Sequence, residues 1–173
     1  QLFALTLGSS AQAEAFVNHL VTYDVTTMKL FDAHYGLFCY ADGGTVDDLF
    51  IYKLPDEQAG GQRPYFFLAI NAANRDKDVA WVTSHAAGFD VTVRDISDET
   101  YMLAFQGPKA PEILNRVTNC DLTQVARFTS AQAVVLGDVP MLLGRTGYTG
   151  EDGFELFFPI AQAEQVWTGL LAA

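Results

Sequence analysis

The chain has 173 residues, 50% hydrophobic and 13% aromatic, which suffices for one large domain or two small lobes around packed cores and excludes a disordered segment. Ten basic against 21 acidic residues give a formal net charge of −11, and no Lys/Arg cluster occurs, which argues against nucleic acid and against an anionic membrane surface as partners. No run of about eighteen apolar residues offers a membrane span. With only Cys39 and Cys120, no CxxC and three scattered histidines (His19, His34, His85), no metal site is expected, and two reduced thiols are the simplest reading of the cysteines.

Residues 2–7 are apolar on both faces apart from Thr6, as in a strand covered on both sides. The strand is entered midway, without Met or a basic n-region, and the last segment stops inside a helix. The chain therefore reads as a piece of a longer protein, with neither a signal nor a transit peptide. Ser9 or Ser10 is expected to cap a helix whose buried stripe is Phe16, Val17, Leu20 and Val21, with His19 at the stripe's boundary.

Residues 34–41 and 45–52 have strand composition and flank Gly43-Gly44, a hairpin signature. Asp47 and Asp48 are anomalous there, because Asp is depleted in strands and adjacent residues point to opposite faces. If the two glycines form the whole loop, Asp42 faces Thr45, Cys39 faces Asp48, Leu37 faces Phe50 and Tyr35 faces Tyr52. Asp48, Phe50, Tyr52, Tyr35 and Cys39 then share one face, whose carboxylate, phenols and ring suit a flat, polar-edged ligand. On pattern alone a plainer alternative stands beside it: Asp48 caps a turn or pairs with a Lys or Arg, and the tyrosines are ordinary strand aromatics. A one-residue slip in register would break the grouping.

A polar loop over 55–64 leads to a buried strand over 65–70, a helix over 79–87 capped within 71–74 and ended by Gly88, and a strand over 89–94. The nearest pattern is a ferredoxin-like split βαβ lobe with an added strand. Asn74 is expected to cap the helix. Asn71 ends an apolar strand, where an amide can either cap or present a donor and an acceptor to a ligand.

Next come a strand over 101–105, a helix begun at Gln106-Gly107-Pro108 and carrying Ile113, Leu114 and Val117, and a hairpin of 133–136 with 141–144 around Gly137-Asp138. A strand over 154–158 and a final helix started by Pro159 complete the chain. The fold class is α+β, with a ferredoxin-like lobe over 1–95 and part of a second antiparallel-sheet lobe over 96–173. Glycines 144, 147, 150 and 153 form neither a P-loop nor a dinucleotide fingerprint; they describe a tight loop that lets another group approach its backbone. Glu155, in an otherwise apolar strand, points to solvent or meets a donor, and spacing alone favours solvent. His34 and Cys39 fall on opposite faces of one strand, so no nucleophilic dyad is expected.

Three segments together, GGTVDDLFIY at 43–52, INAANRDKDVAW at 70–81 and GRTGYTGEDGFEL at 144–156, with FQGP at 105–108, closely resemble the aminomethyltransferase (T-protein) family of the glycine cleavage system. The resemblance covers essentially the whole chain but only the middle of that family's proteins. It implies a tetrahydrofolate-dependent transferase that takes the aminomethyl carbon from the lipoyl arm of H-protein and releases ammonia. Its residues map the family's folate-contacting carboxylate, the candidate catalytic group, onto Asp48. They map folate contacts onto Tyr35, Tyr52, Asn71, Tyr148 and Glu155. It also implies the bacterial cytoplasm or, in a eukaryote, the mitochondrial matrix. Other folate-dependent demethylases, the folate domains of dimethylglycine or sarcosine dehydrogenases, and a non-catalytic folate-binding protein share the scaffold and stand as alternatives.

Overall fold

A computed structural model describes residues 12–56 and 64–173 in full and the backbone of Leu2–Leu7. The chain divides into two compact units, Gln1–Ser97 and Asp98–Ala173. The expected Ser9 or Ser10 cap, the covering of both faces of the first strand and most of the 55–64 loop lie outside the described residues.

The first unit contains strands Leu2–Leu7 (β1), Ala33–Cys39 (β2), Thr45–Pro55 (β3), Pro64–Asn71 (β4) and Val93–Asp95 (β5), with helices Ala13–Leu20 (α1) and Arg75–His85 (α2). Its sheet is antiparallel in the order β2-β3-β4-β1-β5. Without β2 the order is that of the split βαβ pattern, so β2 is the added strand, at the edge. From Phe66 to Ile70 every side chain of β4 is buried, which explains an unbroken apolar run in place of alternation. On one face, Phe16, Val17 and Leu20 of α1 and Val82 of α2 pack against Ile51, Phe66, Leu68 and Ile70. His19 is exposed beside this stripe, its ring 5.7 Å from that of Phe89.

Two elements depart from expectation. The helix expected over 79–87 is α2, which begins at Arg75 after a short 3-10 turn, Ala72–Asn74; acidic Asp76 favours its positively polarised end. The strand expected over 89–94 is only Val93–Asp95, because Phe89 turns its ring into the core, 5.2 Å from Phe16. Arg75 ties α2 to β5 through Asp95, with Nε–Oδ2 2.9 Å.

The second unit has strands Thr100–Gln106 (β6), Ser130–Val135 (β7), Val139–Gly144 (β8) and Gly153–Pro159 (β9), ordered β6-β9-β8-β7 and antiparallel, with helices Ala110–Val117 (α3) and Ala163–Ala172 (α4). Phe154, Leu156 and Phe158 share a core with Leu114 of α3 and Val166 and Leu170 of α4. Pro111, not Pro108, occupies the first turn of α3. The β7–β8 loop turns through Leu136 and Gly137 at φ 53° and 88°. Among the described residues no helix is long and apolar enough to cross a membrane.

Candidate functional site

The hairpin that carries Asp48 has a longer turn than two glycines. The Gly43 amide donates to the Tyr40 carbonyl (2.9 Å), the Tyr40 amide to the Gly44 carbonyl (2.7 Å), and the Asp42 side chain receives the Gly44 amide (2.9 Å). Gly43 sits at φ 88°, a left-handed value that glycine takes without strain. The longer turn and a bulge at Phe38/Cys39 move the pairing: Tyr35 faces Phe50, Leu37 faces Asp48, and Cys39 faces Thr45 instead of Asp48. The shift is two residues, one full period of a strand, so Tyr35, Asp48, Phe50 and Tyr52 keep the common face while Cys39 loses its place opposite Asp48.

On that face Tyr35 is half-exposed and Tyr52 wholly buried. The aromatic rings run in a row, Tyr35 to Phe50 at 6.0 Å, Phe50 to Tyr52 at 6.4 Å and Tyr52 to Phe67 at 5.7 Å. Burial raises the Tyr35 phenol above its usual range, assisted by the negative charge of Asp48 beside it.

Asn71 ends β4 one step beyond the Leu49–Ile70 pair, which brings its side chain to the Asp47-Asp48 backbone. Its Nδ2 donates to Asp48 Oδ1 (3.0 Å), the Asp48 carbonyl (3.1 Å) and Asp47 Oδ1 (3.1 Å). Three acceptors around one atom fix the amide orientation, because an oxygen there would face only oxygens. Asn71 Oδ1 is thereby directed away from the two aspartates.

Asp47 lies on the helix-covered face, 7% exposed, and meets Asp78 of α2, which has no exposed surface. Burial pulls the Asp47 carboxyl upward, but the polar groups around it, with Asn71 Nδ2 donating at 3.1 Å, outweigh it and hold the group below its usual range. Asp78 is pushed up to about 8, by burial first and then by Asp47, against the pull of Lys77. Asn74 stands at the α2 N-cap but makes no side-chain cap bond, contrary to the capping role expected for it. Lys77 donates to the Val46 carbonyl.

In the second unit, Glu155 is wholly buried, correcting the solvent-facing orientation that spacing favours. It pairs with Ala104 and Gly144 across β9, and Thr146 Oγ1 donates to its Oε2 at 2.5 Å. Tyr148, by contrast, is 79% exposed. The group that approaches the glycine-rich backbone is Gln106: a Cβ on Gly147 would fall 2.5 Å from Gln106 Oε1, and one on Gly153 would fall 2.6 Å from Gln106 Cα. Arg145 closes the loop by a two-point bond to Asp152 (Nε–Oδ1 3.0 Å, Nη2–Oδ2 2.6 Å) and anchors it on the Val125 carbonyl (2.7 Å). That bond holds Asp152 below its usual range. A cavity of about 390 Å³ beside the loop is lined by Arg127, Phe128, Arg145, Thr146, Glu151 and Asp152 among others.

The first unit thus brings Asp48 and Asn71 into a hydrogen-bonded pair, with Tyr35 beside Asp48 on the face of the buried Tyr52, and the second holds Glu155 and Tyr148. Sequence reasoning missed Asp78, Thr146, Gln106 and Arg145.

Two α+β units with antiparallel sheets define a known class of fold. The structure is similar to that of the glycine cleavage system aminomethyltransferase T from Bartonella henselae, with a TM-score of 0.83 and 26% identity over 98% of this chain and 43% of that one. It shares the fold alone with the heterotetrameric sarcosine oxidase from Corynebacterium sp. U-96 (TM-score 0.66, 17% identity, 99% of this chain and 78% of that one). Residues 8–173 match the GCVT N-terminal domain, and the chain belongs to that family. Relatives named aminomethyltransferase include those of Geobacillus kaustophilus, 46% identical over 92% of this chain, and Clostridium botulinum strain 657, 41% identical over 93%. The chain spans 42% of the length of these relatives.

Proposed function

We propose that the protein carrying this chain is a tetrahydrofolate-dependent aminomethyltransferase of glycine cleavage, with both units belonging to one folate-binding domain. The aminomethyl group arrives on a lipoyl sulfur of H-protein. Two folate amine nitrogens bond to its carbon in turn as the carbon–nitrogen and carbon–sulfur bonds break; the two amine protons end on the departing ammonia and lipoyl thiol, and methylenetetrahydrofolate and the reduced lipoyl arm leave. Family membership and aminomethyltransferase relatives support the class of reaction. The observation that carries the assignment of roles is the Tyr35–Asp48–Asn71 cluster, an acid held by an amide and lying beside a phenol at an accessible hairpin.

Asp48 orients the attacking amine or takes its proton, assistance worth ~10²–10⁴-fold. In the first unit, Asn71 Oδ1 accepts from the donor edge of the pterin; in the second, Glu155 is an acceptor for folate. Tyr35, Tyr148 and Tyr52 supply flat apolar area with polar tips. The transferred carbon is already activated on sulfur, so positioning supplies much of the rate and no covalent enzyme intermediate is needed.

The test is Asp48→Asn in the native full-length protein, assayed with lipoylated H-protein and tetrahydrofolate. Turnover should fall by about 10²–10⁴-fold while folate affinity changes little. Near-normal turnover would remove Asp48 from the chemistry.

A further inference from the structure

Directly beneath the Asp48 face, on the helix-covered side of the sheet, two carboxyl groups meet. Asp78 has no exposed surface, and neither of its oxygens receives a hydrogen bond; Asp47 Oδ2 is in the same position. Two buried carboxylates side by side, each only an acceptor, would repel with little water to screen them. One proton shared between them removes the repulsion and gives each an acceptor–donor partner.

The other charged groups around the pair do not supply that donor. From α2, Lys77 Nζ stands 3.8 Å from Asp78 Oδ1, beyond hydrogen-bonding distance, and donates to the Val46 carbonyl. From β3, Asp48 adds further negative charge. Asn71, at the end of β4, and Asn74, at the α2 N-cap, are neutral, and Asn71 donates to Asp47. The proton belongs on Asp78, the more buried member, because Asp47 Oδ1 already accepts from Asn71 whereas neither Asp78 oxygen receives a donor. Burial and the neighbouring Asp47 push Asp78 up to about 8, consistent with that placement.

We propose that Asp78 is a positioning residue: it stays protonated, donates its O–H to Asp47, and through Asp47 and Asn71 fixes the side chain of Asp48. The relay is short. Asp47 Oδ1 and Asp48 Oδ1 accept from the same Asn71 nitrogen, at 3.1 and 3.0 Å. When Asp78 loses its proton, Asp47 is repelled, the Asn71 amide follows it, and the grip on Asp48 loosens. The role of this relay in turnover rests on the assignment of Asp48 and Asn71 to folate; the relay itself does not.

The side-chain amide of Asn71, followed by NMR in the ligand-free native full-length protein, tests the relay. Its signal should titrate with a midpoint near the pH at which Asp78 ionises, about 8. In Asp78→Asn, whose amide donates to Asp47 at every pH, the signal should keep its low-pH position and not titrate. In Asp78→Leu, which removes the donor, it should be displaced throughout. Tetrahydrofolate affinity, through the Asn71 contact, should follow, falling as pH rises through that midpoint in the wild type and staying flat in Asp78→Asn. A titration that persists in Asp78→Asn, or an Asn71 signal and folate affinity in Asp78→Leu equal to wild type, overturns the proposal. A wild-type protein that does not bind tetrahydrofolate overturns the folate assignment instead, and the Asn71 signal still decides the relay.

Discussion

Replacing Asp78 by Asn should flatten the pH dependence of stability around α2. In the folded protein Asp78 keeps its proton up to about pH 8, whereas in the unfolded chain it releases it near 3.8. Between those values the folded state binds one more proton than the unfolded state. The stabilisation is therefore complete below 3.8 and is lost as pH rises through about 8. The slope is about −1.4 kcal/mol per pH unit, or about 3 kcal/mol between pH 5 and pH 7. Asp47 works in the opposite sense in a separate window. Its folded value is depressed, so its contribution is present above 3.8 and lost only as pH falls below that. From pH 5 to 7 the Asp78 slope stands alone within the pair. Hydrogen exchange of α2 amides, compared between wild type and Asp78→Asn at each pH, reads this directly because intrinsic exchange cancels. Protection in the mutant should gain on wild type by roughly tenfold per pH unit. Two parallel profiles would refute the protonated Asp78.

The Asn71 amide orientation makes Asn71→Asp more damaging than Asn71→Ala, since a carboxylate would face Asp48 Oδ1, the Asp48 carbonyl and Asp47 Oδ1 with no donor. Folate affinity measured by calorimetry should fall further in the Asp variant, and equal losses would contradict the orientation. Lys53 is 7% exposed and donates to Glu14 Oε2 at 2.5 Å and to the Met28 carbonyl at 2.9 Å. Lys53→Ala should cost about 1–3 kcal/mol in urea unfolding, and Lys53→Met, which keeps the apolar stem, should cost less. Equal costs would mean that the stem contributes nothing.

Strand periodicity made the Asp48 face legible in the sequence. The expected pairing was wrong by two residues, yet Tyr35, Asp48, Phe50 and Tyr52 stay together because side chains repeat every two residues. The same rule separated Asp47 from Asp48. The ferredoxin-like order was legible because helical and strand periods alternate along 13–95. Less was legible where burial depends on partners distant in the chain. Glu155 lies in a strand covered on both faces, and alternation cannot distinguish an outward polar residue from an inward one in such a strand. Asp78 reads as an ordinary first-turn acid, because α2 has a weak apolar stripe and its rotation is set by Val82 against the sheet. Lys53 meets Glu14 across 39 residues, a pairing that only the packing of α1 on β3 creates. Asn74 occupied the capping position without capping.

The most direct measurement is a crystal structure of the native full-length protein with tetrahydrofolate bound. The account predicts an Asp48 oxygen within about 2.6–3.2 Å of a folate amine nitrogen. It also predicts Asn71 Oδ1 on the pterin edge, with Nδ2 still holding Asp47 and Asp48. Folate bound elsewhere, with the Tyr35–Asp48–Asn71 cluster untouched, would contradict it.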